Sequence, residues 1–247
     1  MNKGNTLGWI HIKQYEKIDV DESTAVLGFP GIGSVGRNVA TYLIDVFKPV
    51  KLFDLYSEHL YLPGSSLGVI VKGNGLLELP SIQAYLIQSP KNNLIVVTSS
   101  VQPAPWAQFT VLDKLVEILE GYNCRLIVSL SGFYKPDIAG KVLVTGETKH
   151  VEYLLKLGAT NERIVESIIG AAGVILAVAR LRGISHVSLT AVTENEVYDL
   201  RATRQVLHLL DKWLNLNVDF SSIDRNIREL DIMSMVRSAR APPEYVG

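Results

Sequence analysis

The stretch from Thr24 to Leu43, TAVLGFPGIGSVGRNVATYL, restricts what this chain can fold into more than any other. Ala25 to Leu27 is a short apolar run of strand character. Gly28, Gly31, Gly33 and Gly36 follow, and then Val35, Val39, Tyr42, Leu43 and Val46 recur at helical spacing. A strand, a glycine turn and a helix in that order is the opening unit of an α/β sheet. Glycines there allow positive φ and let backbone approach backbone where no Cβ would fit. A helix that starts at such a turn leaves N–H groups unpaired, and these attract anions. Gly31, Gly33, Ser34 and Gly36 therefore form a candidate ligand crevice.

Two more specific readings of the turn were weighed against plain packing. Gly31, Gly33 and Gly36 spell GxGxxG after a strand, and Asp54 follows in the next apolar run, as in a dinucleotide site. Phe29 and Pro30, however, separate the strand from the triplet, and Leu55 and Tyr56 carry the run past Asp54. Glycines that let the helix pack on the first core strand account for the pattern at lower cost. Ser34 occupies the position of a hydrolase serine, but Ile32 stands where G-x-S-x-G needs its first glycine, so Ser34 reads as a helix N-cap or first-turn residue. After the last core strand come Glu194, Glu196 and Asp199. Glu194 and Glu196 join the candidate crevice as a possible acid and base, while an N-cap at Asp199 and a solvated loop are the bland account. No complete nucleophile, metal or cofactor set is found, and no catalytic residue is assigned.

The rest of the composition removes function classes. At 247 residues, 47% hydrophobic and 20% charged, the chain can bury one sizeable core. A net charge of −1 and the lack of a basic stripe give no reason to expect nucleic acid. Cys124 is the single cysteine, and the five histidines are scattered, so neither a disulfide nor a metal set is expected. Ile168 to Ala179 is the longest apolar or glycine run. It falls short of the roughly 20 residues a membrane span needs, so it reads as a buried helix and the protein as cytoplasmic.

In chain order, strands are expected at Leu7–Lys13, Ala25–Leu27, Val50–Tyr56, Ala84–Gln88, Asn93–Ser99, Arg125–Leu130, Val142–Thr145 and His186–Val192. A hairpin at Asn74-Gly75 joins Gly68–Lys72 to Leu76–Leu79. Helices are expected from the glycine turn to Phe47 and at Gln108–Gly121, Val151–Leu157, Glu166–Arg182, Leu200–Leu214 and Ile223–Val236. Ser100–Trp106 and Ser131–Asp137 read as loops at strand ends. The alternation predicts a three-layer α/β/α sandwich with a mostly parallel, partly mixed sheet. It forms one domain over residues 1–240. Residues 241–247, APPEYVG, are a Pro-containing tail that leaves the body.

Several segments in order resemble the PAC2 family, the proteasome assembly chaperone 2 family with its archaeal and bacterial relatives. AVLGFPGIGSVGRNVATYLID is similar to its opening, SLSGFYKP to its post-strand glycine loop, GAAGVILAVARLRGISHVSLTAVT to its small-residue helix and last core strand, and VYDLRATRQVLHLLDKWLNLNVDFSSID to its closing helix. The resemblance, of archaeal type, covers roughly Ala25 to Leu230. It implies a phosphorylase/hydrolase-like α/β fold without an established catalytic centre or cofactor, a homo-oligomer, and proteasome α subunits or the core particle as partner. Some relatives engage the proteasome through a C-terminal hydrophobic–tyrosine–any-residue tail. That makes Pro243, Tyr245 and Val246 the candidate partner-binding tail, although Tyr245 stands third from the end and follows Glu244. The alternative function is an enzyme or nucleotide binder that uses the glycine crevice.

Overall fold

The computed structural model describes residues 8–62, 64, 66–88 and 92–239, without the side chains of 234–239. The candidate tail residues Pro243, Tyr245 and Val246 lie outside the described residues. The elements in chain order are β1 (Ile10–Gln14), β2 (Ser23–Gly28), α1 (Val35–Phe47), β3 (Val50–Ser57), β4 (Ile70–Val71), β5 (Leu77–Glu78), β6 (Ile82–Gln88) and β7 (Asn93–Ser99). They continue with α2 (Gln108–Gly121), β8 (Cys124–Tyr134), β9 (Val142–Gly146), α3 (Thr148–Lys156), α4 (Ala171–Leu181), β10 (Ser185–Thr193), α5 (Leu200–Leu214) and α6 (Ser221–Ala239).

Eight strands form one mixed sheet in the order β1-β3-β6-β7-β2-β8-β10-β9, and β4 and β5 pair as a separate hairpin. β7, β2, β8 and β10 are mutually parallel. β6, β3 and β1 continue from β7 in antiparallel fashion, and β9 closes the other edge antiparallel to β10. The α/β architecture with a mixed sheet is the one the sequence predicts, and the expected mostly parallel order holds only for the block β7-β2-β8-β10. One core lies between the sheet and α2 with α4, built from residues such as Leu27, Phe53, Ile95, Leu112, Leu115 and Ile175. The second lies on the opposite face, where Val26, Val96, Val128 and Leu189 meet Val39 and Leu43 of α1 and Val206 and Leu210 of α5.

The glycine turn packs as the sequence suggests. A Cβ on Gly28 would come within 1.9 Å of the Gly36 carbonyl oxygen, and one on Gly36 within 2.7 Å of the Leu130 carbonyl oxygen. The first turn of α1 rests directly on the ends of β2 and β8, a contact only glycine permits.

Two expectations are corrected. Ser131 to Tyr134 is not a loop but the end of β8, paired in parallel with Thr190 to Thr193. The small-residue helix begins at Ala171 rather than Glu166. Gly170, at φ 72°, holds a conformation that a right-handed helix cannot continue through, and residues 161–170 run as an irregular strap. The apolar spacing of Ile168 and Ile169 matches a helix, yet these residues belong to the strap.

The antiparallel side of the sheet is held together differently. Its face toward α2 is apolar, with Phe53, Leu55, Ile82 and Ala84 in the core. On the opposite face, α1 and α5 pack on β7, β2, β8 and β10 instead, and β1, β3 and β6 present polar side chains around Asp54. That carboxylate is 2% exposed. It accepts from the Tyr15 hydroxyl at 2.7 Å and the Tyr56 hydroxyl at 3.2 Å, and pairs with Lys51 Nζ at 2.7 Å. The bond to Asp54, followed by burial, pushes the Tyr15 phenol up to about 12, and burial pushes Tyr85 up to about 12.

Candidate functional site

In an open α/β sheet, ligand crevices form outside the carboxyl ends of parallel strands. Here those ends carry the glycine turn after β2, the segment after β7, the last residues of β8, and the 194–199 loop after β10. The structure divides the crevice residues chosen from sequence into two groups.

Gly33, Ser34 and Glu196 form a latch. Gly33 N–H donates to the Glu196 carbonyl at 2.6 Å, the Gly33 carbonyl accepts from Asp199 N–H at 2.9 Å, and the Ser34 hydroxyl donates to the Val197 carbonyl at 2.8 Å. Glu194 enters through its backbone: its N–H donates to Asp199 Oδ2 at 2.9 Å, while Asp199 Oδ1 accepts from Ala202 N–H at 2.8 Å. Asp199 therefore caps α5, as the sequence indicates, and also fixes the loop before it. Gly33 sits at φ 62° and Ser34 at φ 52°, both left-handed. The carboxylate of Glu194 lies 3.7 Å from Arg201, and both side chains are about half exposed.

The latch and the turn use three of the donors that an anion would need. Besides Gly33, the Ser34 N–H donates to the Gly31 carbonyl and the Val35 N–H to Ile32. The Ser34 hydroxyl is likewise spent on a carbonyl and is not placed as a nucleophile. Asp54 cannot serve a nucleotide bound here: β3 is separated from β2 by β6 and β7, about 14 Å at ordinary strand spacing. The dinucleotide reading of GxGxxG fails on that topology. Cys124 is buried at the start of β8, and desolvation pushes its thiol up to about 11, which keeps it unreactive. Among the described residues no cluster of His, Cys, Asp or Glu could hold a metal ion, and no helix is long and apolar enough to cross a membrane.

Gly31 and Gly36 face the other way, into a cavity of about 720 Å³. Phe29, Ile32, Leu130, Phe133, Ile168 and Ile169 supply much of its wall. Gln102 enters from the loop before α2 and Gln108 from the first position of that helix, and the strap closes the far side. Gln102 ties these parts together, donating through Nε2 to the Pro30 carbonyl and accepting at Oε1 from Ala171 N–H at 3.1 Å.

The floor is polar. Ser131 and Thr190 line the cavity and share a hydrogen bond at 2.8 Å; Thr190 lies 3.2 Å from the Ser188 hydroxyl. Ser129, next along the same face of β8, donates to the Ala172 carbonyl at 2.8 Å. Ser129, Ser188 and Thr190 are buried. The sequence reading missed this row. Its signal was present, since hydroxyl residues at alternate positions of two apolar strands point to one face.

The sequence pattern of the PAC2 family matches residues 25–232. The crystal structure of Pyrococcus furiosus PbaB, described as an archaeal proteasome activator, is 28% identical, with a TM-score of 0.83 over 94% of this chain and 99% of that one. Pyrococcus furiosus PbaA, described as an archaeal homolog of proteasome-assembly chaperone, shares the fold at 21% identity, with a TM-score of 0.75 and 94% of each chain covered. An uncharacterized protein of Methanocaldococcus jannaschii, MJ1210, is 26% identical over 92% of this chain and 93% of its own length.

Proposed function

The chain belongs to the PAC2 family, and from that premise we propose that it is a self-associating, non-catalytic protein that binds proteasome core-particle subunits in the manner of an assembly chaperone. The observation that carries the proteasome partner is the similarity, along nearly the whole chain, to PbaB, described as a proteasome activator, while the assembly role rests on the resemblance to the family. The state of the glycine turn supports the non-catalytic part, because the Gly33, Ser34 and Val35 N–H groups and the Ser34 hydroxyl are already committed to the protein's own backbone.

Binding by surface complementarity needs apolar anchors with polar surroundings. The β4–β5 hairpin offers Leu67, Val71, Leu76 and Leu77, all largely exposed, and Trp106 with Phe109 stand out at the start of α2. The tail, with Pro243, Tyr245 and Val246, is the segment proposed for partner contact. The helix before it has a defined course: α6 runs antiparallel to α5, pinned by ion pairs between Arg204 and Asp224 and between Arg201 and Asp231. It therefore heads toward the edge of the sheet where the parallel strands end.

Native mass spectrometry of the protein, alone and mixed with proteasome α subunits from the same source, tests the proposal. A defined homo-oligomer that captures α subunits is expected. Absence of capture overturns the partner. Truncation after residue 240 should leave folding and self-association intact and weaken capture; unchanged capture removes the tail from the account.

A further inference from the structure

We propose that the cavity beneath the strap is a binding site for an uncharged, mainly apolar small molecule carrying one hydrogen-bonding group, such as a carbonyl or a hydroxyl. The inference concerns the isolated chain and is independent of the proteasome reading.

Size and wall chemistry set the first part. A cavity of about 720 Å³ falls within the range of sites for drug-sized ligands, which are typically apolar with a few placed polar groups. It sits at the carboxyl ends of β2 and β8, where α/β sheets place ligands. Its residues include no lysine, arginine or histidine, and the single charged side chain, Glu166, is exposed at the strap. An anion would find no countercharge there. It would also find no free N–H at Gly33, Ser34 or Val35, and Ala171 N–H at the start of α4 is already held by Gln102. Nucleotides and phosphate esters would therefore lie without a countercharge among the described residues.

The hydroxyl row sets the second part. Ser188, Thr190 and Ser131 share two contacts, of 3.2 and 2.8 Å. Each hydroxyl has one donor and two acceptor sites, so two shared bonds leave one O–H and several lone pairs for a third party. Rotation of the hydroxyls lets the row present either a donor or an acceptor at the cavity floor, which suits a neutral polar group of either kind. Thr190 also borders a second cavity of about 520 Å³ on the other side of the strap. The strap itself has little backbone support: among the described residues, the one hydrogen bond outside regular elements between Arg163 and Ile169 is from Ile164 N–H to the Glu162 carbonyl, at 2.9 Å. It can adjust around a guest.

The test is fluorescence titration of the full chain with 1-aminoanthracene, a neutral probe with an apolar body and one polar group. Saturable binding of one probe per chain is expected. Ala172→Phe fills the cavity beside α4 and should weaken binding by at least about tenfold; Thr190→Val keeps the shape, removes the hydroxyl and should weaken it about fivefold. Ile32→Trp, on an exposed loop at the cavity wall, should weaken it as well, and it carries the test where either internal variant loses its far-UV circular dichroism spectrum. Absence of saturation, or equal affinity in folded Ala172→Phe and Ile32→Trp, overturns the site. Displacement of the probe by inorganic phosphate or ATP overturns the ligand class. None of these outcomes bears on capture of proteasome subunits, so the two proposals fail separately.

Discussion

The two sides of the sheet solve the same problem by different means. The parallel side, β7-β2-β8-β10, is covered by helices on both faces and holds together through apolar contact and glycine-permitted backbone approach. The antiparallel side, β1-β3-β6, is covered on one face by the core under α2, and on the other the buried Asp54 of β3 gathers Lys51 and Tyr56 of its own strand and Tyr15 from just past β1. A doubly covered sheet fixes its strand ends, and the latch and the cavity are built on those ends. The antiparallel side instead centres its second face on a polar cluster that must remain intact, with Asp54 buried in it.

The sharpest way to break this contrast is to disturb each side at its own kind of joint. Gly28→Ala drives a methyl into the Gly36 carbonyl, which belongs to backbone and cannot swing away. We expect a loss of about 3 kcal/mol or more, at the upper end for overpacking, or a fall in Tm of roughly 6–12 °C for a chain of this size. Thermal unfolding checks it; a shift below 2 °C (on the order of 1 kcal/mol or less) would mean that α1 does not rest on β2 as described. Asp54→Ala removes the acceptor shared by Tyr15, Tyr56 and Lys51 and should cost about 2–3 kcal/mol, the range for hydrogen bonds to a charged group. Hydrogen exchange separates the two variants. Asp54→Ala should raise exchange in β1, β3 and β6 with little change at β8 and β10, whereas Gly28→Ala should raise it at β2, α1 and β8. Identical exchange maps would dissolve the distinction between the sides.

Asp199→Ala addresses the latch and should have a smaller effect. Two N–H groups, of Ala202 and Glu194, lose their acceptor. Loss of an N-cap costs about 1–2 kcal/mol. Denaturant unfolding measures that, and proteolysis after Glu194 or Glu196 should accelerate if Asp199 also fixes the loop. Unchanged proteolysis would reduce Asp199 to a cap.

These regions were unequally legible in the sequence. Repeating apolar residues such as Val111, Leu112, Leu115 and Leu119 mark α2 because they face one core. Asp199 is legible as an N-cap because capping is a local side-chain event. The latch is not, since it runs from backbone to backbone between Gly33 and residues 196 and 199; no side-chain pattern encodes such bonds. Of the six crevice residues, Gly31 and Gly36 line the cavity, while Gly33, Ser34, Glu194 and Glu196 lie in or beside the latch. The start of α4 was misread because Ile168 and Ile169 suit a helix by spacing, whereas Gly170 decides the boundary by its φ, which sequence does not display. The pairing of Ser131 with Thr190 is not legible because Ser131 reads as a loop residue in sequence, and only the β8–β10 register sets the two side by side at the cavity.

The smallest expected effect is also the most selective, because the two sides should weaken at opposite ends of the pH scale. His150, on α3 against Trp213, has its imidazole held below the ordinary value, first by burial and then by Lys149 and His186. In the unfolded chain it titrates near 6.5. The unfolded state then binds more protons as pH falls through that region, so stability present above about 6.5 is lost on acidification. Tyr15 and Tyr85 behave in the reverse sense. Their folded values, each about 12, lie above the unfolded value near 10, so the unfolded state releases protons first. Their contribution is complete below about 10 and disappears as pH climbs toward 12. Denaturant midpoints measured from pH 5 to 11 should therefore form a plateau with two shoulders. His150→Leu should flatten the acid shoulder alone, and Tyr15→Phe should reduce the alkaline one alone. If Tyr15→Phe alters the acid limb as strongly as the alkaline limb, then the Asp54 cluster and the helix-covered side share one electrostatic environment, and the division between them is geometric without being energetic.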